Sequence, residues 1–121
     1  MKIALNMGNS TNYQSTKEAQ AKAVERDVLM TQKGDWNSRN NLVKTFMPLL
    51  TSLAEKRAGA NLAEKNKLID AGKDGLLKAA NNYKKSIGSD KFQIFALDFI
   101  EKAMEKSQKG GGFFARLFGG K

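Results

Sequence analysis

The stretch KFQIFALDFIEKA, residues 91–103, suits only one kind of backbone. Phe92, Phe95, Ala96, Phe99, Ile100 and Ala103 recur at steps of three and four, the spacing that puts side chains on one face of an α-helix. A stripe this apolar needs neighbours with stripes of their own. The same spacing recurs upstream. Trp36, Val43, Phe46, Met47, Leu50, Leu53 and Ala54 make a second stripe, and Leu62, Leu68, Ile69, Leu76, Leu77, Ala80 and Tyr83 a third. Ala21, Val24, Val28 and Leu29 make a shorter one near the start. No stretch of useful length alternates with a period of two, and there is no internal repeat. The pattern predicts an all-α fold, a compact bundle of about four helices joined by short turns.

The punctuation of the sequence sets the expected boundaries. Residues 1–14 are rich in Asn, Ser and Thr and read as a flexible N-terminal arm, with Ile3 and Leu5 able to dock on the body. Ser15 and Glu18 have capping-box spacing and predict a first helix from there to about Gln32, closed by Lys33-Gly34. Asp35 can cap the second helix, which holds Pro48, the only proline, and stops at Gly59. Proline removes one backbone donor, so a kink is expected near Lys44 to Thr45. Asn61 and Glu64 repeat the capping-box spacing ahead of the third helix. Gly72 and Gly75 lie inside it, each costing about 1 kcal/mol against alanine. Two such glycines imply a neighbouring helix in close approach, or a weak helix. KKSIGSD reads as a turn in which Ser89 or Asp90 caps the fourth helix. Residues 15–109 thus form the expected helical domain, followed over 110–121 by a glycine linker and an apolar tail.

Composition narrows the chemistry. The 121 residues carry a net charge of +9, which favours nucleic acid, an acidic protein surface or an anionic membrane as partner. There is no cysteine and no histidine, so disulfides, thiolate metal sites and the commonest general base are excluded. Asp70 and Asp74 are four residues apart, but two carboxylates without further oxygen ligands make a poor cation site. AGKDG, residues 71–75, lacks the spacing of a phosphate loop and falls inside a helical pattern. No nucleophile has a partner base. The expectation is a non-enzyme with no metal, no cofactor and no small-molecule substrate. The short apolar run at Met1 does not read as a signal peptide, and no run approaches a membrane span, so a cytoplasmic location is expected.

Two stretches together resemble a known family. GDWNSRNNLVKTFMPLLTSLAEKRA and LIDAGKDGLLKAANNYKKSIGSDKFQIFALDFIEKAM look like the second conserved region of bacterial RNA polymerase sigma factors. Arg39, Asn40, Leu42, Val43, Pro48, Leu49 and Leu50 match the family's first core helix in order. Leu68, Ile69, Gly72, Gly75, Leu76, Lys78 and Ala79 match its second, and Lys91, Phe92, Ala96, Ile100 and Ala103 its third. The likeness spans roughly residues 34–107 and stops short of the family's helix-turn-helix region, so recognition of a bipartite promoter by this segment alone is not expected.

The resemblance implies two surfaces. In the family this region grips the coiled-coil clamp helices of the polymerase's largest subunit. The corresponding residues here are Asp70, Lys73, Asp74 and Leu77, although Lys67, Ala71 and Lys73 depart from the family's polar and acidic pattern. The family also captures flipped bases of the minus-ten promoter strand. Candidates for DNA contact are Lys84, Lys85, Lys91, Phe95, Lys102 and Lys106. Here Asp98-Phe99 replaces paired tryptophans and Glu101-Lys102 replaces Arg-Gln. Stacking a base on an aromatic ring contributes on the order of 1–3 kcal/mol, so its loss implies weakened strand capture. On a helical wheel Asp98, Glu101 and Glu105 oppose the apolar stripe, giving the last helix an acidic exterior.

Three functional readings follow. One is a sigma-like module that binds RNA polymerase and takes part in transcription initiation, touching promoter or single-stranded DNA weakly. Another is a sigma mimic that meets an anti-sigma-like regulator or the polymerase without DNA. A third, independent of the resemblance, is a small basic helical protein that binds nucleic acid without specificity. In the tail, Phe113 and Leu117, like Phe114 and Phe118, stand four apart. So short a helix is unstable alone. It can fold back on its own domain, dock on a partner groove or, least expected, touch a membrane surface.

Overall fold

The computed structural model describes residues 2–109, with side chains from Thr16 onward. Four α-helices account for nearly all of them: α1 (Lys2–Gln32), α2 (Trp36–Ala58), α3 (Leu62–Asn82) and α4 (Phe92–Gln108). Two short 3-10 turns, Lys85–Ile87 and Ser89–Lys91, connect α3 to α4. Among the described residues there is no strand, and the protein is an all-α bundle.

Two of the expected caps are formed. The Asp35 carboxylate accepts the Ser38 N–H at 2.9 Å, and the Asn61 side chain accepts the Glu64 N–H at 2.9 Å. Each satisfies a donor that the first helical turn leaves over. The Asp35 carboxyl is held below the ordinary carboxylate range by those Ser38 hydrogen bonds. Gly34 and Gly59 close the preceding helices with φ of 91° and 61°, values at which a Cβ would be strained. α2 is continuous through Pro48.

Two boundaries differ from expectation. Helix α1 begins at Lys2, so Ser15 and Glu18 lie within it and do not mark its start, and residues 2–14 are helical. Asn, Ser and Thr cost only fractions of a kcal/mol each inside a helix, too little to stop one already propagating from the packed body. The expected docking of Ile3 and Leu5 lies outside the described side chains. At α4, neither Ser89 nor Asp90 caps the helix, because both sit in the second 3-10 turn. Lys91 precedes the first helical residue without a side-chain cap.

The core is built from Leu42, Phe46, Leu50 and Ala54 of α2, Leu68, Leu76, Ala79 and Ala80 of α3, and Phe92, Ala96, Ile100 and Met104 of α4. Val28 is the fully buried contribution of α1, with Val24 and Leu29 packed beside it. Trp36 and Leu62, both expected to face inward, are 65% and 64% exposed. Each stands on the first turn of its helix, before neighbouring helices close over the stripe.

Helices α3 and α4 form the tightest pair. A Cβ on Gly75 would lie 2.6 Å from the Phe99 carbonyl oxygen and 2.9 Å from Ile100 Cα. On Gly72 it would lie 2.8 Å from Met104 Cε and 2.9 Å from Leu50 Cδ2. Contact therefore moves forward along α4 as it moves back along α3, and the two run antiparallel. The two glycines mark the close approach that their place in a helical pattern implied.

Candidate interaction surfaces on α3 and α4

Asp70, Lys73, Asp74 and Leu77 follow one another at i, i+3, i+4 and i+7, so α3 presents them on one side. Asp70 and Asp74 are exposed, and Lys73 and Leu77 are half-buried at the edge of the face. Gly72 and Gly75, on the opposite side, are buried against α2 and α4. The face carries two carboxylates against one ammonium: Lys73 Nζ stands 3.8 Å from Asp70, the outer limit of an ion pair in solvent, which contributes little to stability. Asp74 has no ion-pair partner among the described residues.

The DNA-contact candidates divide into two groups. Lys84 and Lys85 stand at the turn that leaves α3, exposed to solvent. Phe95, Lys102 and Lys106 fall on one side of α4, since 95, 102 and 106 lie within a narrow arc at 100° per residue, and Lys91 stands in the 3-10 turn just before the helix. The lysines of that arc are exposed, and the chain of four runs about 22 Å from Lys91 to Lys106. Ile94, at its margin, is 72% exposed.

Phe95 is not a free aromatic platform. Its ring centroid lies 5.1 Å from that of Phe99 and 6.4 Å from those of Tyr83 and Phe92. These neighbours occupy much of its surface and leave it half-buried on the shoulder of the arc. Tyr83 anchors the cluster. It is 3% exposed, edge-on to Phe92 at 5.4 Å, and donates its hydroxyl proton to Glu25 of α1 at 2.5 Å. Burial, reinforced by the hydrogen bond and the charge of Glu25, pushes its hydroxyl up to about 12.

The acidic exterior expected of α4 is largely cancelled. Asp98 pairs with Lys102 at 3.1 Å and Glu105 with Lys109 at 3.3 Å, both at i,i+4 spacing. Glu101 turns aside to α2, where Arg57 reaches its carboxylate at 3.2 Å and donates a second bond to Gln108 at 3.1 Å. The arc therefore shows alternating charge, not a wall of carboxylates.

Several connections carried no sequence signal. Gln32 donates to the carbonyls of Ala80 at 2.7 Å and Tyr83 at 2.9 Å, tying the end of α1 to the end of α3. Arg57 to Glu101 and Tyr83 to Glu25 likewise join residues more than forty positions apart. Spacing could have shown one further local contact, at i,i+3, where the Arg39 guanidinium covers the exposed Trp36 ring at 4.7 Å.

Among the described residues no three His, Cys, Asp or Glu side chains stand close enough to hold a metal ion, and no helix is long and apolar enough to cross a membrane. Protein-family models, curated proteins and solved structures give no match to the chain.

Proposed function

We propose that the protein is a sigma region-two-like module that binds RNA polymerase and takes part in transcription initiation, with weakened capture of the minus-ten strand. The observation that carries the polymerase contact is the α3 face of Asp70, Lys73, Asp74 and Leu77. It combines two exposed carboxylates with an apolar edge, and it points away from the core while the glycines opposite hold the helix against α4. A coiled-coil partner that offers basic and apolar side chains would find both charge and apolar contact there.

Weakened strand capture is supported by the enclosure of Phe95 and by the pairing of Lys102 with Asp98. Flipping a base costs a few kcal/mol, and a ring already engaged by its neighbours returns less stacking. Lys84, Lys85, Lys91 and Lys106 remain for phosphate contact. The same enclosure favours a second reading, a cytoplasmic sigma mimic that meets an anti-sigma-like regulator or the polymerase and leaves DNA alone.

Titration of core RNA polymerase against the immobilised protein separates the outcomes. Binding that is lost in Asp70→Lys/Asp74→Lys supports the clamp contact. Absence of binding by the unsubstituted chain sinks it. Preference for a single-stranded minus-ten sequence over a scrambled one, reduced by Phe95→Ala, separates the first reading from the second.

A further inference from the structure

Three connections meet at one end of the bundle. Gln32, the last residue of α1, donates to the carbonyls of Ala80 and Tyr83, so Lys33 and Lys84, each the next residue along, emerge close together. Helices α2 and α3 run antiparallel across the turn at Gly59, and Leu50 of one meets Gly72 of the other. Trp36 lies about 21 Å back along α2 from Leu50, and Asn82 about 15 Å onward along α3 from Gly72. Trp36 is therefore level with Lys84 and Lys85, just past the end of α3. Trp36 and Arg39 precede Leu50 by close to whole numbers of helical turns, so both stand on the side of α2 that faces α3. Arg39 covers one face of the Trp36 ring, and with the ring 65% exposed the other face is open.

Charge gathers around that ring. Residues 33–39 and 83–91 hold the cations Lys33, Arg39, Lys84, Lys85 and Lys91 against two carboxylates, Asp35 and Asp90, and Asp35 is engaged by Ser38 as a helix cap. The ion pairs among the described residues all fall on residues 55–73 and 98–109, so none of them neutralises this end. We infer that this end of the bundle binds single-stranded nucleic acid without sequence preference. A base stacks on the open face of Trp36, and the surrounding cations hold the phosphates on either side. A duplex keeps the faces of its bases inside its own stack, and an acidic peptide matches the charge but presents no base to the ring. The site is separate from the α4 arc that carries Phe95, although Lys84, Lys85 and Lys91 serve both. The inference does not depend on the transcription reading.

Trp36 is the only tryptophan, so its emission reports on the ring directly, and its exposure means that replacing it leaves the core intact. Single-stranded oligothymidylate added to the full chain at low salt is expected to quench that emission. Raising the salt fourfold should weaken binding about 20- to 50-fold, the response to three or four phosphate contacts. In Trp36→Ala, fluorescence anisotropy of a labelled oligothymidylate should show binding about 5- to 100-fold weaker, and Trp36→Phe should restore most of it. Phe95→Ala, which the minus-ten reading requires to weaken strand capture, should leave oligothymidylate binding unchanged, so either reading can fail alone. Binding that is indifferent to Trp36→Ala overturns the inference, as does binding by anisotropy without quenching. Absence of binding at low salt overturns it too. Quenching by polyglutamate as strong as that by oligothymidylate would assign the site to an acidic protein instead.

Discussion

Replacing Gly75 by alanine tests the closest contact in the bundle, and Gly72→Ala supplies its control. Both substitutions gain the same intrinsic helix propensity, about 1 kcal/mol. They differ in what the new methyl meets. At Gly75 it stands 2.6 Å from a backbone oxygen, 2.9 Å from Ile100 Cα and 3.0 Å from Ala103 Cβ, none of which can move without the helix. Ordinary contact begins near 3.4 Å, so α4 has to retreat by several tenths of an ångström along its best-packed stretch. Overpacking of this kind costs typically about 1–3 kcal/mol. At Gly72 the nearest atoms are the ends of the Met104 and Leu50 side chains, which can rotate aside. Propensity cancels in the difference, leaving Gly75→Ala about 1–3 kcal/mol less stable than Gly72→Ala. Gly72→Ala itself should lie within about 1 kcal/mol of the parent. Urea unfolding followed by circular dichroism at 222 nm reads the difference, with the slopes compared to exclude a change in the unfolded state. Equal stabilities, or Gly75→Ala the more stable, would refute a backbone contact at this point.

The Tyr83 hydroxyl should titrate near 12 by its absorbance at 295 nm, against about 10 for a tyrosine in the unfolded chain. Because the folded value is the higher, the associated stability is complete below pH 10 and is lost as pH rises from there through 12. Glu25→Gln removes the adjacent charge and should bring the titration down while leaving it above 10, since burial is the larger cause. At the other end of the scale, the Asp35 carboxyl is lowered in the folded state, so its contribution is present above the ordinary carboxylate range and falls away on acidification, an effect that Asp35→Asn should remove from the pH profile. Gln32→Ala deletes two bonds to carbonyls of the α3 terminus and should cost about 1–2 kcal/mol in urea unfolding; no measurable change would show that water satisfies those carbonyls equally well.

The class of fold was legible because it rests on local spacing. Phe92, Ala96, Ile100 and Met104 fall on one face of their helix, as Leu42, Phe46, Leu50 and Ala54 do on theirs, and both faces are buried. Asp35 and Asn61 were legible as caps because a side chain three residues before its donor needs no tertiary information. Ser15 and Glu18 have equally good spacing but lie where α1 already runs, since spacing states that a cap is possible and not that a helix begins there. Trp36 and Leu62 fit their stripes, yet a stripe does not reveal where the neighbouring helix stops. For the candidate surfaces, the sequence placed the lysines and carboxylates but not their partners. Asp98 and Lys102 are neighbours on one turn and could be paired from spacing alone. The turn of Glu101 toward Arg57, and the enclosure of Phe95 by Tyr83, depend on how α2 and α3 approach α4.

The contact of Gly75 with the Phe99 backbone has a mechanical consequence. Two helices separated by side chains can slide as rotamers change, whereas two touching main chain to main chain have no such bearing between them. The carboxylates borne by α3 and the lysines borne by α4 are thus set at a constant spacing and angle, like marks on a ruler. A partner that grips one helix aims the other at whatever lies alongside.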